Sequence, residues 1–123
     1  MPKHKILIVE DDPDTRQLFN VRLRASGYDT AFAEDAYMAV SMALKEQPDL
    51  ILLDLGLPAG GGFTVLERLR AQTSTATIPV IVASARERSS NELRACKAGA
   101  RTYLQKPVDT TELLAAIQHA LGE

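Results

Sequence analysis

The residues Ile6-Leu7-Ile8-Val9-Glu10-Asp11-Asp12-Pro13 place an apolar run, three acidic residues and a proline within one short stretch. Three of the four apolar residues are β-branched, which predicts a strand covered on both faces of a parallel sheet. Asp12 is suited to cap a helix whose first position is taken by Pro13. The stretch therefore predicts the first β-α unit of an α/β fold.

The same alternation continues along the chain. Each further apolar or β-branched run is followed by a longer stretch with helical spacing of its apolar residues. Ser89 with Glu92, and Asp109 with Glu112, have the spacing of capping boxes at the starts of the fourth and fifth helices. The predicted strands are Ile6–Val9, Tyr28–Ala33, Leu50–Leu53, Val80–Ala83 and Thr102–Leu104.

Five such units predict a (βα)5 fold, a doubly wound parallel five-stranded sheet between two layers of helices. Right-handed crossovers and the short chain favour the strand order 2-1-3-4-5, which is a flavodoxin-like three-layer sandwich. In such sheets the functional site lies beyond the carboxyl ends of the strands. We therefore expect the functional residues of this chain to lie just after its strands.

Composition sets limits on the class of protein. The 123 residues are 46% hydrophobic and 24% charged with a formal net charge of −2, which predicts a single globular domain over residues 1–123. The slight acidity predicts no direct nucleic-acid contact, and the short apolar runs predict no membrane span. Cys96 is the one cysteine of the sequence, so an internal disulfide is excluded and we expect a cytoplasmic location.

Polar side chains follow four of the predicted strands. Glu10 and Asp11 follow the first strand, Asp54 the third, Ser84 the fourth and Lys106 the fifth. In the order 2-1-3-4-5 these four strands are contiguous. We therefore expect three carboxylates, one hydroxyl and one ammonium to share a small pocket.

The charges of this pocket predict a bound cation. Two carboxylates about 4 Å apart repel by ~4 kcal/mol at an effective dielectric constant of 20, and one lysine cannot offset three of them. The oxygen-only donor set favours Mg²⁺, which in proteins combines few carboxylates with water and phosphate oxygens. Lys106 is suited to pair with a phosphate oxygen and Ser84 to hydrogen-bond one. The pattern predicts a site for a phosphoryl group beside a metal ion.

Each of these residues also has an ordinary structural explanation. Acidic residues favour the start of a helix, Ser84 is a plausible turn hydroxyl, and Lys106 is a plausible solvated loop lysine. It is their joint occurrence at neighbouring strand ends that favours a functional site.

The motifs resemble the receiver domain of two-component response regulators, the CheY-like superfamily. The resemblance covers essentially the whole chain, and its joint spacing is more specific than any one motif. The segments that carry it are Ile6-Leu7-Ile8-Val9-Glu10-Asp11-Asp12, Asp54-Leu55-Gly56-Leu57-Pro58 with Gly62, Ala83-Ser84, and Tyr103-Leu104-Gln105-Lys106-Pro107.

The resemblance implies a role for each residue of the metal site. Asp54 is then the phosphoacceptor, and Asp11 and Asp54 bind Mg²⁺ (or Mn²⁺) directly. Glu10 acts through a metal-bound water, and the backbone carbonyl of Gly56 completes the protein ligands.

It also implies how the phosphoryl group is sensed. Ser84 and Lys106 then contact the phosphoryl oxygens, and Tyr103 rotates into the space that Ser84 vacates. A cis bond between Lys106 and Pro107 holds the ammonium inward at the loop of the signalling face. That face consists of the fourth helix, the fifth strand and the fifth helix.

The implied function is phosphorelay signal transduction. The phosphoryl donor is the phosphohistidine of a histidine kinase or of a histidine phosphotransfer domain. The outputs are a downstream protein target or effector domain and a homodimer through the signalling face. We expect a phosphoacceptor that assists its own phosphorylation and dephosphorylation, and not an enzyme.

Departures from the family pattern concern the rim of the pocket. Gly60-Gly61 stands where a bulkier residue and Asp are frequent, so we expect a mobile loop there. Gly56 offers no side chain to orient an attacking water. Arg86 is long enough to lie over the pocket and shield the acyl phosphate, and the alternative is that it points to solvent. The resemblance implies that side chains at positions 56 and 86 regulate access of the attacking water, so both positions are expected to set the lifetime of the phosphorylated form.

Two other classes of function are weighed against this one. A dehalogenase-type phosphatase usually has a second Asp two residues after its nucleophile, where this chain has Gly56. A flavodoxin-like mononucleotide binder has a Ser-, Thr- and Gly-rich loop after the first strand, where this chain has Glu10-Asp11-Asp12. Outside the pocket, Cys96 is expected to be a buried and unreactive thiol on the fourth helix.

Overall fold

The computed structural model describes residues 3–58 and 61–123, and its ten elements alternate strictly between strand and helix. The strands are β1 (Lys5–Val9), β2 (Asp29–Ala33), β3 (Leu50–Leu53), β4 (Val80–Ser84) and β5 (Thr102–Gln105). The helices are α1 (Pro13–Ala25), α2 (Ala36–Glu46), α3 (Gly61–Ala71), α4 (Arg88–Lys97) and α5 (Thr110–Leu121).

The five strands form one parallel sheet in the order β2-β1-β3-β4-β5, as the sequence predicts. The register pairs Val9 with Ala33 on one side and with Leu53 on the other, so β1, β2 and β3 end at the same level. Ser84 pairs with Gln105 at the end of β4 and β5. The residues that follow these strands therefore emerge along one edge of the sheet.

Two apolar clusters cover the two faces of the sheet. Leu7 and Val9 point into the cluster that α2, α3 and α4 close, whereas Ile6 and Ile8 point into the cluster under α1 and α5. All four side chains are at most 1% exposed. Fully burying such a side chain contributes ~1.5–3 kcal/mol, so β1 is among the segments that hold the three layers together.

Aspartates cap three of the helices, and those of α1 and α5 are the ones that the sequence predicts. The side chain of Asp12 accepts a hydrogen bond from the Thr15 amide at 2.9 Å, with Pro13 at the start of α1. Asp35 caps α2, and Asp109 caps α5 by accepting from the Thr111 amide at 3.2 Å. These carboxylates satisfy amide groups that a helix leaves without an internal partner.

The start of α4 differs from the prediction. Ser89 does not cap it, because the helix already begins at Arg88, and the Ser89 hydroxyl donates to Glu87 at 2.9 Å. Glu87 precedes the helix but its side chain makes no capping hydrogen bond. The amide of Arg88 instead donates to the side chain of Gln105 on β5 at 2.7 Å. A partner distant in sequence thus replaces the local capping box.

Cys96 is exposed, and the prediction of a buried thiol is wrong. The buried residue of α4 is Ala95, and the next residue of a helix points about 100° away from it. Gly60, where the sequence predicts a mobile loop, lies outside the described residues. Among the described helices, none is long and apolar enough to cross a membrane.

Candidate functional site

The carboxylates of Glu10, Asp11 and Asp54 meet at the carboxyl edge of the sheet. One oxygen from each lies within 4.8 Å of one from each of the others. Glu10 and Asp11 directly follow β1, and Asp54 follows β3. Lys106 reaches this cluster from the end of β5, and we call these four residues the acidic pocket. The convergence expected from the strand order is present for the three carboxylates and the ammonium.

Backbone hydrogen bonds of the sheet fix the walls of the acidic pocket. The Glu10 amide donates to the carbonyl of Ala33 at 3.0 Å, and the Asp54 amide donates to that of Val9 at 3.0 Å. The Lys106 amide donates to the Ser84 carbonyl at 2.8 Å. Glu10, Asp54 and Lys106 therefore each directly follow a strand and are bonded through their amides to the neighbouring strand or its end.

Lys106 compensates part of the acidic charge. Its ammonium donates a hydrogen bond to Oε1 of Glu10 and lies 3.8 Å from Oδ2 of Asp54. Glu10 is only 2% exposed, and its other oxygen accepts from the Asp12 amide at 3.3 Å. Burial raises the pKa of Glu10; the hydrogen bond from Lys106 opposes this shift and the charge of Asp54 adds to it. One ammonium among three carboxylates leaves the acidic pocket suited to a cation.

The donor set fits a hard divalent ion. Asp54 has 11% of its side chain exposed, so its oxygens are reachable from solvent, and Asp11 is exposed. Carboxylate oxygens and a backbone carbonyl are the ligands that Mg²⁺ prefers over nitrogen or sulfur. The Gly56 amide donates to Oδ1 of Asp54 at 3.2 Å, which keeps the loop after β3 against the carboxylate.

Gly56 and Gly62 surround Asp54 closely. A Cβ at Gly56 would lie 3.7 and 3.8 Å from the two carboxylate oxygens of Asp54, which is ordinary contact. A Cβ at Gly62 would lie 2.6 Å from the Asp54 carbonyl oxygen, so only glycine fits there. A side chain at position 56 would therefore border the reactive group, whereas one at 62 would displace the backbone.

Ser84, Tyr103 and Gln105 hold the segment after β4. We call residues Ala85, Arg86 and Glu87 the β4–α4 loop; all three are exposed. The Arg86 amide donates to the Ser84 hydroxyl at 3.1 Å, and the Tyr103 hydroxyl donates to the Arg86 carbonyl at 2.8 Å. The side-chain amide of Gln105 donates to the Ala85 carbonyl at 3.0 Å while its oxygen accepts from the Arg88 amide.

The Tyr103 ring is fully buried in this structure. The rotation of Tyr103 expected from the sequence would thus begin from a ring that is already inside the core. Arg86 presents its backbone to Ser84 and Tyr103, and the residue as a whole is exposed. The peptide bond between Lys106 and Pro107 is cis, as the resemblance implies.

The family model of the response regulator receiver domain matches residues 6–118 of the chain. The chain belongs to the receiver domain family. It is therefore a domain of two-component signalling, for which phosphorelay is the general function. This result favours the receiver interpretation over the phosphatase and mononucleotide-binding alternatives.

The chain is similar to curated proteins of two different lengths. It is 41% identical over 117 residues to the DNA-binding dual master transcriptional regulator RpaA of Synechocystis, matching 95% of this chain and 48% of that protein. It is 33% identical to the protein PilH of Pseudomonas aeruginosa, over 96% of this chain and 98% of PilH. The chain thus spans about half of one relative and nearly all of the other.

Solved structures agree with the fold and with the metal interpretation. One similar structure is the receiver domain of the sensor histidine kinase PA1611 of Pseudomonas aeruginosa, which has a magnesium ion coordinated in its active-site cleft. It superimposes with a TM-score of 0.91 at 30% identity, over 99% of this chain and 100% of that one. The chemotaxis protein CheY4 of Vibrio cholerae gives a TM-score of 0.90 at 27% identity, over 98% of this chain and 100% of that one.

Two residues that contact this site were missed at the sequence level. Gln105 is an exposed residue at the end of the edge strand β5, and only its place before Lys106 hinted at a contact. Arg16 lies on α1, and its guanidinium donates to the Glu10 carbonyl at 3.1 Å. Both act on backbone groups, and no sequence motif records such bonds.

Proposed function

We propose that this receiver domain accepts a phosphoryl group from a phosphohistidine onto Asp54. The observation that carries the proposal is the position of the Asp54 carboxylate, close to two other carboxylates and 3.8 Å from the Lys106 ammonium. In the transfer, an oxygen of Asp54 forms a bond to phosphorus as the phosphorus–nitrogen bond of the donor breaks. The imidazole leaves with the electron pair of that bond and takes up a proton.

Asp11, Asp54 and the carbonyl of Gly56 would hold Mg²⁺, with Glu10 acting through a water. The ion supplies charge stabilisation at phosphoryl oxygens when bound. Lys106 pairs with the same developing charge, because its ammonium already lies between Glu10 and Asp54. Mn²⁺ has similar ligand preferences and is expected to substitute.

The reaction is stoichiometric in this proposal. Asp54 is consumed as an acceptor and is restored when water hydrolyses the acyl phosphate, so the domain is not an enzyme acting on a separate substrate. Residues at the pocket rim then set the lifetime of the signal. Gly56 has no side chain to cover the Asp54 carboxylate. Arg86 is an exposed residue of the β4–α4 loop, two residues after Ser84.

Phosphorylation would act on the β4–α4 loop through Ser84. It adds ~1.5–2 negative charges and new acceptor oxygens beside a hydroxyl that now accepts from the Arg86 amide. A Ser84 hydroxyl that donates to the phosphoryl group turns away from Arg86. Since Arg86 is also the partner of Tyr103, the change reaches the face formed by α4, β5 and α5.

The proposed partners follow from this reaction. A histidine kinase or histidine phosphotransfer domain supplies the phosphoryl group. The α4-β5-α5 face, with Pro107 in its loop, is the proposed contact for an effector domain, for a downstream protein or for a second copy of the chain.

The test is labelling by a small-molecule phosphodonor in the presence of Mg²⁺, with the site mapped by peptide mass analysis. Wild type is expected to gain one acid-labile phosphoryl group on the peptide that contains Asp54, and Asp54→Asn to gain none. Asp14→Asn is the matched control, since Asp14 is an exposed carboxylate of α1. Equal labelling of Asp54→Asn would refute the proposal, and so would a label at an acid-stable linkage.

A further inference from the structure

Arg16 lies one turn into α1 and points back across the end of β1. Its Nη1 donates to the carbonyl of Glu10 at 3.1 Å and lies 4.0 Å from a carboxylate oxygen of Glu34. Its guanidinium carbon is 6.0 Å from the centroid of the Phe32 ring. Only 23% of the side chain is exposed. The guanidinium is therefore held by three groups of the neighbouring strand ends.

The group that Arg16 contacts is the peptide between Glu10 and Asp11. The amide of Glu10 is bonded to Ala33, its side chain to Lys106 and its carbonyl to Arg16. With these bonds in place, the plane of the next peptide is fixed, and with it the direction in which Asp11 leaves the chain. Asp11 itself is exposed, so packing does not position its carboxylate.

The positive charge of Arg16 allows two explanations of this contact to be distinguished. A guanidinium that bonds to the Glu10 carbonyl, at the border of the acidic pocket, repels a bound Mg²⁺, so by charge alone its removal would tighten metal binding. If Arg16 instead positions Asp11, its removal weakens metal binding, even though a repulsive charge is lost. The two explanations predict opposite signs.

We propose that Arg16 is a positioning residue of the metal site and acts on Mg²⁺ through the Glu10–Asp11 peptide. The inference rests on the proposed function, because it assumes that Asp11 is a metal ligand. Loss of a group that orients a metal ligand typically costs 10–100-fold in metal affinity. The Glu10 carbonyl is several covalent bonds away from the Asp11 carboxylate, so we expect a loss of about tenfold, at the low end of that range.

The experiment is calorimetric titration of the whole chain with Mg²⁺ alone, for wild type, Arg16→Ala, Arg16→Met and Arg16→Lys. Arg24→Ala is the matched control, since Arg24 is also on α1 and bonds to Thr30 of β2. We expect Arg16→Ala and Arg16→Met to bind Mg²⁺ about tenfold more weakly. Arg16→Lys, which retains a donor and the charge, is expected to recover part of the affinity, and Arg24→Ala to match wild type.

A second readout separates positioning from a general structural role. In phosphodonor labelling, Arg16→Ala is expected to need more Mg²⁺ for half-maximal rate and to reach the wild-type rate at saturating Mg²⁺. Arg16→Met keeps the apolar stem, so it reports on the guanidinium should the alanine variant fold poorly. A thermal unfolding curve for each variant verifies the fold.

The outcomes are distinguishable. If wild type binds Mg²⁺ and the Arg16→Met variant binds it equally well or more tightly, the positioning role is overturned and the proposed function stands. If wild type itself binds no Mg²⁺, the metal site of the proposed function fails and this inference fails with it. Weaker binding in Arg24→Ala to the same extent would also overturn it.

Discussion

The acidic pocket and the β4–α4 loop adjoin each other but are held in different ways. In the acidic pocket, Glu10 is 2% exposed and backbone bonds of the sheet fix Glu10, Asp54 and Lys106. The β4–α4 loop is exposed, and the bonds that hold it come from the side chains of Tyr103 and Gln105 on the next strand.

From this difference we infer that the acidic pocket carries out the phosphoryl transfer and that the β4–α4 loop responds to it. Backbone bonds inside a sheet open only with the sheet itself, whereas single side-chain hydrogen bonds contribute ~0.5–1.5 kcal/mol each and can be lost locally. The charge that phosphorylation adds is therefore expected to leave the acidic pocket in place and to rearrange the β4–α4 loop. Substitutions are therefore expected to have their largest effects in the acidic pocket, smaller effects at its rim and the smallest in the β4–α4 loop.

The largest effect is expected from Lys106→Met. The substitution leaves the buried Glu10 carboxylate without its cation, so we expect labelling at Asp54 to slow at least tenfold. The free energy of unfolding should fall by ~1–3 kcal/mol, the cost of a buried group without its partner. Urea denaturation and the labelling rate measure the two effects.

Two variants control this prediction. Lys45→Met removes an exposed lysine of α2 and is expected to leave both quantities unchanged. Adding Glu10→Gln to Lys106→Met removes the uncompensated charge and should restore part of the stability without restoring labelling. A Lys106→Met variant as stable as wild type would show that the ion pair between Lys106 and Glu10 does not stabilise the fold.

A smaller effect is expected at the rim. Gly56→Asn places an amide beside Asp54, where a Cβ has room at 3.7 Å, and is expected to change the rate of dephosphorylation several-fold by orienting a water. Arg86→Ala is expected to shorten the lifetime of the phosphorylated form if the guanidinium shields the acyl phosphate. Dephosphorylation followed after removal of the donor tests both, with Arg88→Ala as the control. Equal rates for wild type and Arg86→Ala would leave Arg86 as a surface residue.

The smallest effect is expected from Gln105→Ala. The substitution removes one donor to Ala85 and the acceptor of the Arg88 amide, so we expect a loss of ~1 kcal/mol or less and faster amide exchange at Arg88. Labelling at Asp54 should keep its rate, because the side chain of Gln105 bonds to Ala85 and Arg88 of the neighbouring segment and not to the carboxylates or the ammonium of the acidic pocket. Gln118→Ala on α5 is the control. A labelling defect in Gln105→Ala would show that loop and pocket are one unit.

The same division explains what could be predicted from sequence. The strands and the residues of the acidic pocket follow from buried apolar runs that are followed by charged residues, and these signals are local. The strand order follows from the crossover rule for a short chain of five β-α units. The start of α4 could not be predicted, because its amide is bonded by Gln105, which is distant in sequence. The exposure of Cys96 was missed because a weakly apolar helix gives no clear inward face beyond Ala95. The bond from Arg16 to the Glu10 carbonyl could not be predicted either, because a bond to a backbone carbonyl has no sequence signal.

Amide hydrogen exchange of the Mg²⁺-loaded domain, with and without phosphorylation, tests the central claim most directly. The account predicts that the largest change in exchange occurs from Ser84 to Arg88 and that the amides of Glu10 and Asp54, bonded within the sheet, keep their protection. A change at Glu10 and Asp54 as large as that in the β4–α4 loop would contradict it, as would a loop whose exchange does not respond to phosphorylation.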